Sequence, residues 1–197
     1  QGDAAGEMGD DLAKVELGTG RTAVRIAAGS YHTAVILDDG NVKVWGKNQN
    51  GQLGQGNRTQ LGYYASDMGD NLTRVDLGTG KTAVAIAAGT EHTAVILNDG
   101  SVKAWGLNTY GQLGLGNTEH MGNDADEMGD DLSAVDLGTG RTAVAIAAGN
   151  SITGVILDDG TVKVWGFNSS GALGQEHYSN IGDDPNEMGD NLPSINL

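Results

Sequence analysis

The 197-residue sequence contains no cysteine, so neither a disulfide framework nor a thiolate metal site is available to it. Aromatic residues are few: three Trp, five Tyr and one Phe. Val, Ile, Leu and Ala must therefore supply most of the core. Basic residues are scarce too, with 11 Lys and Arg against 26 Asp and Glu, a formal net charge of −15. Such a polyanion has no general attraction for nucleic acid or an anionic membrane surface, and neither is expected as a partner. The acidity reads as a solubility device, with recruitment of a basic partner or of cations as the alternative. No run approaches the ~18 apolar residues of a transmembrane helix, so membrane insertion is not expected. The first residue is Gln1 rather than Met, which reads as a processed or truncated chain.

Glycine is abundant instead, with 33 residues, more than twice an average usage of roughly 7%. Glycine costs conformational entropy inside strands and helices, so that many point to numerous tight turns and close backbone approaches. The sequence also repeats itself. Met8-Gly9-Asp10-Asp11-Leu12 returns from Met68, Met128 and Met188, each time after 60 residues. Trp45, Trp105 and Trp165 keep the same spacing, as do the Ala-Ala-Gly triplets ending at Gly29, Gly89 and Gly149. Self-similarity at a fixed period marks a repeat architecture. The chain is accordingly read as one array, with units 7–66, 67–126 and 127–186 and a partial fourth unit 187–197.

Within a unit the local signals favour strands. Thr33-Ala34-Val35-Ile36-Leu37 is short, apolar and rich in β-branched residues, as expected of a strand covered on both faces. Asp39-Gly40 then leads into Val42-Lys43-Val44-Trp45, a hairpin signal that returns at Asp99-Gly100 and Asp159-Gly160. Val24 to Gly29 reads as an inner strand whose small residues suit a crowded radial centre. Val15-Glu16-Leu17 reads as a fourth, short strand, and no long helix is expected. Sixty residues with four short strands cannot shield both faces of their sheet alone, so neighbouring units must stack. The hairpins and the long period favour a β-propeller over a β-solenoid.

The unit Ile26-Ala27-Ala28-Gly29, His32-Thr33, Asp39-Gly40, Trp45-Gly46, Asn48, Gly51-Gln52-Leu53-Gly54 resembles the repeat of the regulator of chromosome condensation, the RCC1-like propellers. The second unit matches through His92-Thr93, Asp99-Gly100, Trp105-Gly106, Asn108 and Gly111-Gln112-Leu113-Gly114. The resemblance implies an all-β fold of four-stranded blades, seven to a complete ring. About three blades and the start of a fourth are present, so the ring is partial unless other chains or further sequence complete it. The family serves mainly in protein recognition, as GTPase exchange factors, ubiquitin-pathway proteins, a plant ultraviolet photoreceptor and β-lactamase inhibitors. The third unit drifts from the pattern: Ile152 stands in the His position, and Gly171-Ala172-Leu173-Gly174-Gln175-Glu176 replaces Gly-Gln-Leu-Gly-x-Gly. The Cys that many relatives carry beside the Asp-Gly turn is absent here.

His32 and His92 recur at one place per unit, which favours a structural hydrogen bond over catalysis. The three Trp favour packing between blades over a photoreceptor-like cluster. The acidic segments around Asp124-Ala125-Asp126-Glu127 and Asp183-Asp184 carry the oxygen ligands Ca²⁺ takes, but they match no EF-hand or nonapeptide pattern, and solvated loops are favoured. No cofactor is otherwise implied. Of three glycosylation sequons, those of Asn71 and Asn168 fall on repeat-motif positions, and Asn57 is the better acceptor. No nucleophile–base pair, phosphate loop or metal triad stands out, and the chain is not read as an enzyme.

Function therefore falls to positions that vary between otherwise similar units. Tyr31, Glu91, Tyr110 and Phe167 are the candidate partner contacts, aromatic side chains being effective interface anchors. The expected role is a protein-interaction or structural scaffold, its partners being other proteins, copies of itself or the remainder of a longer chain. The alternative is a regulatory propeller, either a guanine-nucleotide exchange factor or a β-lactamase-type inhibitor.

Overall fold

The protein is described by a computed structural model covering Asp3 and residues 6–195. Each unit folds its predicted hairpin. In the first, β2 (His32–Leu37) returns antiparallel as β3 (Val42–Gly46), and β1 (Ala23–Ala28) pairs along the other edge of β2. The turn after β2 closes with Gly40 at φ 77°, a backbone state that costs little only for glycine. The second unit repeats the pattern as β4 (Ala83–Ala88), β5 (His92–Leu97) and β6 (Val102–Gly106), and the third as β7 (Ala143–Ala148), β8 (Ile152–Leu157) and β9 (Val162–Gly166). Among the described residues the only helical pieces are three-residue 3₁₀ turns, such as Gly69–Asn71 and Gly129–Asp131.

The sheets have three strands where four were expected, and the reason lies at the outer edge of β3. That edge is closed at two separate points. Leu61 pairs with Gly46 in an isolated antiparallel bridge, and the Val75 N–H donates to the Val42 carbonyl at 2.9 Å. Val135 on Val102 and Ile195 on Val162 repeat the second contact at 2.8 Å. The segment expected as a fourth strand thus bonds to the preceding unit's sheet, and only once. One hydrogen bond does not make a ladder, so the sheet ends at β3.

Strand pairing sorts the side chains into two faces. Ala34 lies opposite Val44 and Ile36 opposite Val42, and these point toward the following unit. Thr33 lies opposite Trp45 and Val35 opposite Lys43, on the rear face. The core forms where the forward face of one unit meets the rear face of the next. One cluster joins Ala34, Ile36 and Val42 to Val95, Leu97 and Trp105, and another joins Ile96 and Val102 to Val155, Leu157 and Trp165. The inner strands converge as their small residues predict: a Cβ on Gly29 would collide with the Gly89 carbonyl and the His32 ring.

Candidate interaction surface

The joints between units are held by polar groups that recur every 60 residues. His92 Nε2 lies 2.9 Å from the Thr153 hydroxyl, which itself donates to the Gln112 carbonyl at 2.7 Å. The hydroxyl has one proton and spends it on Gln112, so it accepts from His92 Nε2–H. That fixes the tautomer and leaves Nδ1 as a buried lone-pair acceptor with no donor among the described residues. The Trp165 indole N–H donates to the same Gln112 carbonyl at 3.1 Å. His32, Thr93, Gln52 and Trp105 repeat this arrangement one joint earlier. Burial lowers both imidazole pKa values from 6.5 to about 4. At His32 the Glu91 carboxylate opposes that pull, and at His92 the other imidazole adds to it.

A second device lies at the outer edge. The Lys103 ammonium is buried in an otherwise apolar strand and donates to the carbonyls of Leu77 and Gly129 at 3.0 and 2.6 Å. Lys43 and Lys163 hold the equivalent carbonyls. Burial pulls the ammonium pKa of Lys103 and Lys43 below the ordinary lysine value, against Asp130 and Asp70 respectively. Those aspartates belong to the repeated Met-Gly-Asp motif. Asp130 accepts from the Thr79 backbone N–H at 2.9 Å and from its hydroxyl at 2.6 Å, so each unit's motif caps the Gly-Thr-Gly turn of the unit before. Bonds from the Thr79 and Thr19 hydroxyls hold the Asp130 and Asp70 carboxyls below the usual range.

With these groups committed to structure, the variable residues gather at one rim of the sheets. The loop after each third strand bonds back to the loop between the first two: Lys47 N–H to Tyr31 O, Leu107 to Glu91 O and Phe167 to Ser151 O, at 2.8–2.9 Å. All the predicted contact residues therefore share this rim, and they divide by joint. Between the first two units Lys47 forms an ion pair with Glu91, Asn50 donates to Glu91 at 2.9 Å, and the Lys47 ammonium sits 4.9 Å from the centre of the exposed Tyr31 ring. Between the second and third, Tyr110 packs on Phe167 with ring centroids 4.6 Å apart. Glu91 is consumed within the molecule, whereas Tyr31 and Phe167 present surface to solvent. The opposite rim carries ion pairs across the hairpin turns, including Arg141 with Asp158 and Asp159.

The remaining candidates have local roles. Trp105 and Trp165 are fully buried in the joints, while Trp45 is half-buried. Glu127 accepts from the backbone N–H groups of Asn123 and Asp124, and Glu187 from those of Gly182 and Asp184. These carboxylates stiffen their own turns, and among the described residues no three His, Asp or Glu side chains converge as a metal site requires. Asn168 is buried, and its amide is spent on His177 and Leu173. Asn57 is exposed, although it closes a turn onto Thr59 as Asn117 does onto Glu119. Sequence reasoning overlooked Lys43, Lys103 and Lys163 and the joint threonines Thr93 and Thr153. Their signal was present, since a lysine recurring inside an apolar strand is out of place unless it is bonded.

Two profiles described as the regulator of chromosome condensation (RCC1) repeat match this chain, one over residues 23–52 and 83–112, the other over 39–96 and 99–127. The Arabidopsis thaliana ultraviolet-B receptor UVR8 is 39% identical over 94 residues, covering 47% of this chain and 19% of the receptor. The human X-linked retinitis pigmentosa GTPase regulator is 28% identical over 159 residues, covering 80% of this chain and 14% of the regulator. The chain thus spans less than a fifth of the length of these curated relatives. Among solved structures, Prp20p from Saccharomyces cerevisiae superposes with a TM-score of 0.62 at 22% identity, over 89% of this chain and 38% of that one. Human WBSCR16 superposes with a TM-score of 0.59 at 22% identity, over 87% and 37%. The profiles together run from residue 23 to 127, and the 60-residue period carries the same pattern through the third unit. By its motifs, its blades and the joints between them, the chain belongs to the RCC1 repeat family and is built as an RCC1-like β-propeller.

Proposed function

We propose that the chain is a non-enzymatic protein-interaction module whose contact surface is the rim bearing Tyr31, Tyr110 and Phe167. The observation that carries this reading is a division of labour. His, Thr, Trp, Lys and Asp recur from unit to unit and are spent on the joints, whereas the rim loops carry different residues in each unit. Aromatic anchors on rigid blades bind with little ordering cost. Relatives support the class: the yeast Prp20p structure is described with its binding to Gsp1p and histones, and a second relative is named a GTPase regulator. A regulatory propeller acting on a GTPase, or on an enzyme as an inhibitor, is the second reading for that reason.

The test is affinity capture on the immobilised chain, compared with a Tyr110→Ala/Phe167→Ala variant of unchanged melting temperature. Partners held by wild type and lost by the variant carry the proposal. An identical bound set for both proteins overturns it. Accelerated nucleotide release from a captured GTPase favours the second reading.

A further inference from the structure

A cleft of about 410 Å³ opens at the outer edge of the joint between the second and third units. Its walls come from the loop after β6, from the segment that follows the 3₁₀ turn Gly129–Asp131, and from residues 185–191. Leu115, Met121 and Pro185 make part of the lining apolar, while Asp131, Ser133 and Asn186 supply polar groups. One replacement in the repeat marks this joint. In the first unit the Gln55 amide donates across the gap to the Thr73 carbonyl at 3.3 Å, and in the third Gln175 donates to the Pro193 carbonyl at 2.9 Å. Leu115 stands at that position in the second unit and has no donor to offer, so the equivalent Ser133 carbonyl has no partner among the described residues. The side chains of Asp131, Ser133 and Asn186 make no hydrogen bond among the described residues either.

The charge around the cleft is of one sign. Residues 104–140 hold seven Asp and Glu and no Lys or Arg, and residues 164–197 hold five and none. The matching stretch of the first unit, residues 44–80, is balanced at three and three. Its Lys47, Arg58 and Arg74 give way to Leu107, Thr118 and Ala134 in the second unit, and Ala134 lines the cleft. The cations that flank the acidic stretches are committed elsewhere. Lys103 and Lys163 are buried on backbone carbonyls, and Arg141 is paired with Asp158 and Asp159 at the opposite rim. Of the carboxylates, Asp130 and Asp190 cap the Thr79 and Thr139 turns, and Glu127 and Glu187 brace their own loops. Asp131 is exposed in the cleft wall with its carboxylate unbonded.

We infer that this cleft receives an arginine side chain from an extended basic segment of a partner protein. A guanidinium is planar and weakly hydrated, so its faces suit the apolar wall of Leu115, Met121 and Pro185 while its N–H groups serve the Asp131 carboxylate and the Ser133 carbonyl. A lysine ammonium is a compact, strongly hydrated charge and gains less from such a wall. The acidic stretches on both sides provide the complementary charge that steers the basic segment and holds its neighbouring residues. The site is separate from the rim, since none of Tyr31, Tyr110 and Phe167 lines it.

The test is the fluorescence anisotropy of a labelled Arg-Gly-Arg-Gly-Arg peptide titrated with the chain in about 150 mM salt, where a Debye length of ~8 Å suppresses diffuse attraction to a polyanion. Wild type should bind this peptide at least about fivefold more tightly than Lys-Gly-Lys-Gly-Lys. Leu115→Gln restores the amide that crosses the gap in the other two units and leaves the net charge unchanged. It should weaken binding about tenfold, as should Asp131→Asn through the loss of one charge-assisted bond. Asp11→Asn makes the same charge change at the same place in the first unit's motif, outside the cleft, and should leave the affinity within about twofold. Asn71 and Asn191 at the equivalent positions indicate that the motif accepts either aspartate change. Wild-type affinity in Leu115→Gln, or equal weakening by the two aspartate variants, would mean that the peptide reads net charge alone and overturns the proposal. Equal binding of the lysine peptide, or no binding of the arginine peptide, overturns it as well. Should Leu115→Gln fail to fold, the comparison of the two aspartate variants decides. Tyr110→Ala/Phe167→Ala should leave the peptide affinity unchanged, so the rim reading and this one can fail separately.

Discussion

His92 offers a sharp test of the joint chemistry, because its burial makes folding stability depend on pH in a window set by the imidazole alone. In the fold its pKa is about 4, against 6.5 in the free chain. Between these values the unfolded chain binds the proton and the folded one does not, so acidification favours unfolding. The stabilisation is whole above pH 6.5, declines below it and is gone near pH 4. A difference of that size corresponds to about 3 kcal/mol. Replacing His92 with Ile, the residue the third unit carries at this position, removes the titration. At pH 7.5 the variant loses the bond to Thr153, about 1 kcal/mol. Urea unfolding followed by fluorescence of the buried Trp105 and Trp165 suits the measurement, at pH 7.5, 6.5, 5.5 and 4.5. As the solution approaches the isoelectric point near 4.3, self-repulsion of the acidic chain relaxes in both proteins alike. The difference between the two curves therefore isolates the imidazole. Wild type should lose about 3 kcal/mol relative to the variant by the acid end of the series. Parallel curves would refute the buried, unprotonated His92.

Three further outcomes follow from the same joints. Lys103→Met should lower stability by about 2–4 kcal/mol, because the Leu77 and Gly129 carbonyls lose their buried donor, and a thermal melt reads the loss as a fall of several degrees. A melt as high as wild type would mean those carbonyls find other partners. Gly111→Ala should cost about 2–4 kcal/mol, since φ is 73° and the added Cβ would press into the backbone of Gly182 and Asp183, with urea titration as the measurement. Glu176 holds φ 60° where the first two units have Gly56 and Gly116, so Glu176→Gly should raise stability by about 0.5–1 kcal/mol, a gain of a few degrees by calorimetry.

Sequence alone determined the 60-residue period, the hairpin in each unit, the inner strand of small residues and the packing role of Trp105 and Trp165. These features are local or strictly periodic, and short apolar runs rich in β-branched residues, joined by Asp-Gly turns, leave a strand few alternatives. The tertiary structure decided what crosses between units. Val75 closes the sheet of the unit before it, which replaced the expected fourth strand with two isolated contacts. Lys103 proved to be a strut between two loops, and Glu91, expected to face a partner, proved to be bonded to Lys47 and Asn50. Spacing reveals that such residues recur, but not which face of a neighbouring unit each one meets. His92 and Thr153 are 61 residues apart, and Gln112 and Trp165 are 53 apart. Only the stacking of one pleated face on the next brings them within hydrogen-bonding distance, and stacking depends on the shape of whole sheets, which no single segment encodes.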